Sequence, residues 1–305
     1  MENRVIPEVA FTQTPRRKSV CERAALNFLE DLLLRFQTSE MATENISFKN
    51  KVVLVTGSSS GMGLAMNLRF AKLGAKVVVQ GRDEKKMAEA VQQCTAASPF
   101  GYKPLQVKAD VGVDADLINL VNKVIATYGQ LDVLVNNAGV IALSPIDDPE
   151  LMKKFDNQMK INVRAPVLLC SLCAPHLEKT KGNIVNISSG IGMRAFPGAI
   201  GYSVSKWAVM MITEGLALEL GPKGVRVNTI NPGFIENQAW HDKAGYGPEV
   251  GIAFKKGSPL GRNGTVQDIV NCVVFLTSDE ASYINAVAVP VDGGITKTIQ
   301  GTSFD

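Results

Sequence analysis

A chain of 305 residues with 46% hydrophobic and 20% charged side chains has the composition of an ordinary globular protein, which excludes the disordered, collagen-like and disulfide-scaffold classes. Its 32 basic and 29 acidic residues nearly balance at a net +3, and no long Lys/Arg run offers a footprint for a phosphate backbone, so nucleic acid is excluded as a partner. No stretch approaches ~18 consecutive apolar residues, so no membrane span is expected.

Residues 1–50 are expected as a loosely ordered extension with one amphipathic helix near 21–36, where Leu26, Leu29, Leu33 and Phe36 share a face. Glu2, Glu8, Glu22, Glu30 and Asp31 speak against a mitochondrial transit segment, because such segments are acid-poor. The expected location is therefore cytoplasmic, with a mitochondrial address as the alternative. Met41 opens an ordinary-looking amino terminus and is an alternative start.

From residue 51 onward, apolar β-branched runs alternate with longer stretches of helical period. Strands are expected at 52–55, 76–80, 105–108, 133–135, 184–187, 225–230 and 286–290, and helices at 63–73, 84–97, 114–128 and 203–219. Strands that are apolar throughout belong to a sheet covered on both faces, and right-handed crossovers place helices on both. Residues 51–305 therefore read as a single doubly wound α/β domain with a mostly parallel sheet of about seven strands.

The five cysteines are scattered and odd in number, as in a reducing compartment. Cys170 and Cys173 form C-x-x-C inside an apolar helical run with no second ligand pair, so they are expected in the core and no metal is expected.

After the first strand the chain reads Thr56-Gly57-Ser58-Ser59-Ser60-Gly61-Met62-Gly63. A pyrophosphate needs backbone N–H donors and the positive end of a helix within reach, and side chains at the turn would hold it away. A ligand-free tight turn uses the same glycines, but a turn that opens a βαβ unit favours the nucleotide. The second strand ends in Gly81-Arg82-Asp83. No acid stands at its tip for a ribose 2′-hydroxyl, and Arg82 can fork onto a 2′-phosphate, so NADP is expected over NAD, with Asp83 as a helix cap.

Tyr202 and Lys206 lie four apart on an expected helix and can share a face. A free phenol titrates near ~10 and shuttles protons poorly at neutral pH, but a nearby ammonium stabilises the phenolate and makes it a usable acid/base. Alone, the pair is also an ordinary solvated helix face. Ser189 ends the fifth strand, and the carboxyl ends of an open α/β sheet are where ligands gather. Ser188 competes for that role.

The G-x-x-x-G-x-G turn, Asn136-Asn137-Ala138-Gly139, Ser189 and Tyr202-x-x-x-Lys206 together resemble the short-chain dehydrogenase/reductase family over residues 51–295, and its 3-oxoacyl-carrier-protein-reductase-like members in particular. The resemblance implies a Rossmann-type fold and a catalytic tetrad of Asn162, Ser189, Tyr202 and Lys206. It implies a cofactor bed of Thr56, Gly57, Ser59, Ser60, Gly61, Met62 and Gly63 with Arg82, Asp110, Val111, Asn137, Ala138 and Gly139. Tyr202, Lys206, Pro232, Gly233 and Ile235 complete that bed. It further implies hydride exchange between NADP or NAD and a small-molecule carbonyl or secondary-alcohol substrate, NADPH-dependent ketone reduction being favoured, in a homo-dimer or homo-tetramer. The chain departs from the pattern at three places. Ser60 stands where some NADP users carry a basic residue, Asn237 where Thr is common, and Asn285-Ala286 where Thr-Gly is usual. Residues 238–256, with Trp240, His241 and Tyr246, are the expected substrate lid. A catalytically silent nucleotide-binding regulator and a sugar-nucleotide epimerase are the competing readings. The Asn, Ser, Tyr, Lys set stands against the first and the compact chain against the second.

Overall fold

The computed structural model describes residues 46–236 and 247–298. Strand β1 (Val52–Val55) leads into α1 (Gly61–Lys72), β2 (Lys76–Gly81) into α2 (Glu84–Ala97), and β3 (Leu105–Lys108) into α3 (Asp114–Tyr128). Strand β4 (Val133–Asn136) is followed by α4 (Leu151–Met159), a π-helical turn (Lys160–Arg164) and α5 (Ala165–Thr180). Strand β5 (Asn183–Ile187) precedes the short α6 (Gly190–Met193) and the long α7 (Ile200–Leu220). Strand β6 (Arg226–Pro232), α8 (Pro248–Gly257), α9 (Val266–Thr277) and β7 (Ala288–Val291) complete the domain.

The seven strands form one parallel sheet in the order β3-β2-β1-β4-β5-β6-β7. The direction of progression reverses between β1 and β4, so the loops leaving these strands diverge and open a crevice at the carboxyl edge. Leu54 packs with Leu117, Leu134 and Leu169 on one face, while its neighbours Val53 and Val55 pack with Phe70, Ile230 and Ile269 on the other. Two-sided burial is the reason β1 is apolar at every position.

All seven expected strands are present; β1 and β3 have the expected ends, and the other five differ by one or two residues. The last begins at Ala288 rather than 286: Ala286 has φ 59, a left-handed conformation outside the extended strand region, and keeps one bond to β6, from its N–H to the Val227 carbonyl at 2.9 Å. The expected boundary at 50/51 also moves. Phe48 is buried, meets Phe70 edge-on at 5.0 Å and donates its N–H to the Leu73 carbonyl, so residues 46–50 belong to the domain and not to the extension. The amphipathic stretch at 21–36, Met41, Asn237 and the lid residues Trp240, His241 and Tyr246 lie outside the described residues. Among the described residues no helix is long and apolar enough to cross a membrane.

Candidate active site

Gly57 (φ 66) and Gly61 (φ 57) take left-handed conformations, and a Cβ on Gly63 would stand 2.4 Å from the Gly57 carbonyl oxygen. The turn from β1 into α1 therefore closes only with glycine at these positions. Ser60 stands at the N-cap of α1 without a side-chain cap, which leaves first-turn N–H groups and the positive end of a 12-residue helix for an anion. This donor set fits a pyrophosphate.

Neighbouring strand ends brace the turn. Thr56 Oγ1 accepts from the N–H groups of Asn137 and Ala138 at 3.0 and 2.9 Å, and Asn137 Nδ2 donates to the Thr56 carbonyl at 2.8 Å. Gln80, which the sequence reading passed over, accepts from the Gly57 N–H and donates to the Ala109 carbonyl, both at 2.6 Å. One buried amide thus ties together the loops after β1, β2 and β3. The available signal was a polar side chain in an otherwise apolar, fully covered strand.

At the tip of β2, Asp83 caps α2 by accepting from the Lys86 N–H. Arg82 is exposed and pairs with Asp110 at 3.2 Å. The Gly112 N–H, first, and then the Arg82 guanidinium hold the Asp110 carboxyl below the usual range. Val111 is half-buried against the core under α3. Gly81 faces Ser59 closely, since a Cβ there would stand 2.7 Å from Ser59 Oγ.

Tyr202 and Lys206 are both buried on α7, with Lys206 Nζ 5.7 Å from the centre of the Tyr202 ring. Nζ donates to the Ile187 carbonyl at 2.7 Å, and burial brings the ammonium down to about 8. Ser188 and Ser189 both line the cavity described below. Ser188 Oγ donates to the Lys206 carbonyl at 2.6 Å and fastens β5 to α7, while Ser189 caps α6. Asn162 sits in the π-helical turn, a bulge that redirects one side chain out of the helical register. Its Oδ1 accepts from the Val140 N–H at 2.8 Å, and its Nδ2 donates to the Val140 carbonyl at 2.8 Å and to Ser205 Oγ at 3.0 Å. Gly139 separates it from the lysine, because a Cβ there would lie 3.2 Å from Asn162 Oδ1 and 3.5 Å from Lys206 Nζ. Beneath the site runs a buried ladder that periodicity could not reveal. Asn136 donates to Asn186, Asn186 to Thr213, and Thr229 joins the Thr213 hydroxyl, locking β4, β5, β6 and α7 together.

Part of this set opens on one cavity of about 1030 Å³, and Asn162, Arg82 and Asp110 are not in its wall. Met62 and Asn137 reach it from the cradle side, Ser189, Tyr202 and Lys206 from the centre, and Pro232, Gly233 and Ile235 from the loop after β6. Most of the remaining wall is apolar, including Phe196, Phe234 and Phe254. Cys170 and Cys173 lie elsewhere, fully buried; burial pushes the Cys170 thiol up to about 12 and that of Cys173 further, so neither offers a thiolate at neutral pH. The described residues contain no group of three or more side chains able to hold a metal ion.

Residues 57–296 match a family described as Enoyl-(Acyl carrier protein) reductase. The chain is similar to meso-2,3-butanediol dehydrogenase of Serratia marcescens, with 36% identity over 82% of this chain and 96% of that protein. It is similar in structure to a gluconate 5-dehydrogenase from Burkholderia cenocepacia in complex with NADP and tartrate, with TM-score 0.77 and 27% identity over 85% of this chain and 100% of the other. A 7α-hydroxysteroid dehydrogenase complexed with NADH and 7-oxo glycochenodeoxycholic acid also matches at TM-score 0.77, with 30% identity over 83% and 96% of the two chains.

Proposed function

The chain belongs to the short-chain dehydrogenase/reductase family, a family of oxidoreductases acting between CH–OH and C=O, and on that basis we propose that it is an NADPH-dependent ketone reductase. The observation that carries this reading is the meeting of Ser189, Tyr202 and Lys206 with the end of the glycine turn in one cavity. When bound, the nicotinamide supplies or accepts the hydride. Tyr202 holds the proton that neutralises the developing alkoxide, and Ser189 donates a hydrogen bond to the same oxygen. Lys206 favours the phenolate of Tyr202 between turnovers and meets the nicotinamide ribose. Asn162, clamped between Val140 and α7, stands at the outer end of the proton path. Turnover of a ketone and alcohol panel with NADPH and with NADH tests the reading; a protein that binds nicotinamide and turns over none of the panel overturns it.

Arg82 supports the choice of NADPH. Its ion pair with Asp110 is exposed, so breaking it costs the fold little. A charge-assisted contact to the 2′-phosphate is worth ~1.5–3 kcal/mol, so Arg82→Ala is expected to lower kcat/KM for NADPH relative to NADH by roughly one to two orders of magnitude. Equal losses with both cofactors, or a native preference for NADH, overturn the assignment. Gly81→Asp is a less clean test than the sequence suggests, because its Cβ would press on Ser59 Oγ at 2.7 Å and disturb the cradle as well as the charge.

A self-associating chain fits the outer face of α7. Ile200, Val204, Trp207 and Met211 are exposed and fall at intervals of four, three and four, one continuous stripe along the helix. A second copy of the same helix across a two-fold axis would cover it. The double variant Trp207→Glu/Met211→Glu is expected to reduce the mass measured by light scattering to that of a smaller species. An unchanged mass removes α7 from the interface.

A further inference from the structure

The cavity wall is chemically uneven. Phe234 and Phe254 stack at 5.0 Å between ring centres, Phe196 stacks on Phe254 at 6.5 Å, and Ile141, Ile146 and Ile200 extend the apolar surface. The described wall contains no Asp or Glu; besides Lys206, its single charged side chain is Arg194. Arg194 follows α6 and is exposed, and its Nε donates to the Thr296 carbonyl at 3.1 Å, which ties the guanidinium to the segment after β7. A guanidinium has five N–H donors, so this bond leaves the four on the terminal nitrogens, and among the described residues none of them has a hydrogen-bond partner and no carboxylate pairs with Arg194.

Basic side chains adjoin the wall: Lys255 and Lys256 directly follow the wall residue Phe254, and Lys297 lies between the wall residues Thr296 and Thr298. Acidic ones adjoin it too, with Asp147 directly after the wall residue Ile146 and Glu249 on α8, while Asp292 and Glu236 are engaged in hydrogen bonds. Asp292 accepts from Gly294 and from both the N–H and the hydroxyl of Thr296, and Glu236 accepts from Asn263. A planar, pre-oriented fork of donors beside an apolar wall matches a carboxylate, sulfonate or sulfate carried at the end of a hydrophobic body.

We infer that the substrate is a bulky apolar ketone or secondary alcohol that carries an anionic group, and that Arg194 is the specificity-determining residue that receives this anion. The inference rests on the reductase reading above and adds to it the substrate class.

The test uses matched pairs of ketones that share one aromatic or alicyclic body and end either in a carboxylate or in its methyl ester. The intact protein is expected to prefer the carboxylate in kcat/KM by about tenfold to a hundredfold, and Arg194→Met to reduce that preference at least tenfold, with Arg194→Lys recovering part of it. The KM for NADPH should not follow the preference. If Arg194 only braces the segment at Thr296, both members of each pair lose activity together and the preference stays, which overturns the inference while the reductase reading stands. A native preference for the ester does the same. If no ketone is reduced, calorimetric titration of the nicotinamide-bound protein with the corresponding hydroxy-carboxylate separates the two claims. Binding that weakens at least tenfold in Arg194→Met supports the anion site although the reductase reading fails, and absence of binding overturns the anion site as well.

Discussion

Tyr202→Phe is expected to lower kcat by about two to four orders of magnitude while leaving nicotinamide affinity near its native value. Only one oxygen is removed. The ring that remains fills the same buried position on α7, so neither the helix nor the cavity wall has reason to rearrange. The lost atom is the one that gives up its proton as negative charge develops on the substrate oxygen, an interaction stronger in the transition state than in the ground state, so kcat falls and KM for the ketone moves little. Ser189 keeps its hydrogen bond to that oxygen and sustains the residual rate. The measurement is steady-state turnover on the best ketone of the panel, paired with a fluorescence titration of nicotinamide. A variant with near-native turnover would remove Tyr202 from the chemistry, and one with weakened nicotinamide binding would move its role to the cofactor.

Most of the sheet was legible because a doubly covered parallel strand leaves a strong mark: Val52–Val55 is apolar at every position and bounded by Lys51 and the glycine turn. Strand ends were less so. Nothing in the letters around Ala286 announces its positive φ, which comes from the loop that brings Asn285 back to accept from the Val227 N–H. At the site, residues whose chemistry and spacing coincide stood out: Tyr202 and Lys206 one helical turn apart, and the three glycines. Ser188 and Ser189 look alike in sequence and both reach the cavity, and what sets them apart is the hydrogen bond from Ser188 to the Lys206 carbonyl. Asn162 owes its position to a π-helical turn, Gln80 to bonds that reach residues 23 and 29 positions away, and Arg194 to the carbonyl of Thr296, 102 positions distant. Long-range pairings of this kind follow from the folded sheet and have no local period.

Lys206→Met is expected to abolish activity to a degree similar to Tyr202→Phe, yet with two signatures that the tyrosine variant lacks. Nicotinamide binding should weaken, since Lys206 is assigned to the ribose as well as to the phenol. Residual activity should also move to higher pH, because a phenol without its ammonium returns toward the ordinary value near ~10. The fold, however, should become more stable. Desolvation brings the buried ammonium down from 10.5 to about 8, which costs the folded protein about 3 kcal/mol at neutral pH. Met fills much of the same volume without charge, and what is lost is the 2.7 Å hydrogen bond from the ammonium to the Ile187 carbonyl, a charge-assisted bond worth ~1.5–3 kcal/mol. The net gain is at most about 1.5 kcal/mol, or a rise in Tm of no more than roughly 6 °C for a domain of this size. The pH dependence has a definite sign. Below pH 8 the lysine is charged in both folded and unfolded protein and the whole penalty is present; between about 8 and 10.5 only the unfolded chain keeps the proton, so the native protein gains stability as pH rises; above 10.5 both are neutral and the advantage of Met closes. Thermal unfolding of the two proteins at pH 7 and pH 10 reads this directly. A methionine variant that is less stable than the native protein at pH 7, or whose advantage does not shrink by pH 10, would show that Lys206 is not held against its charge. Its influence on Tyr202 would then need another cause.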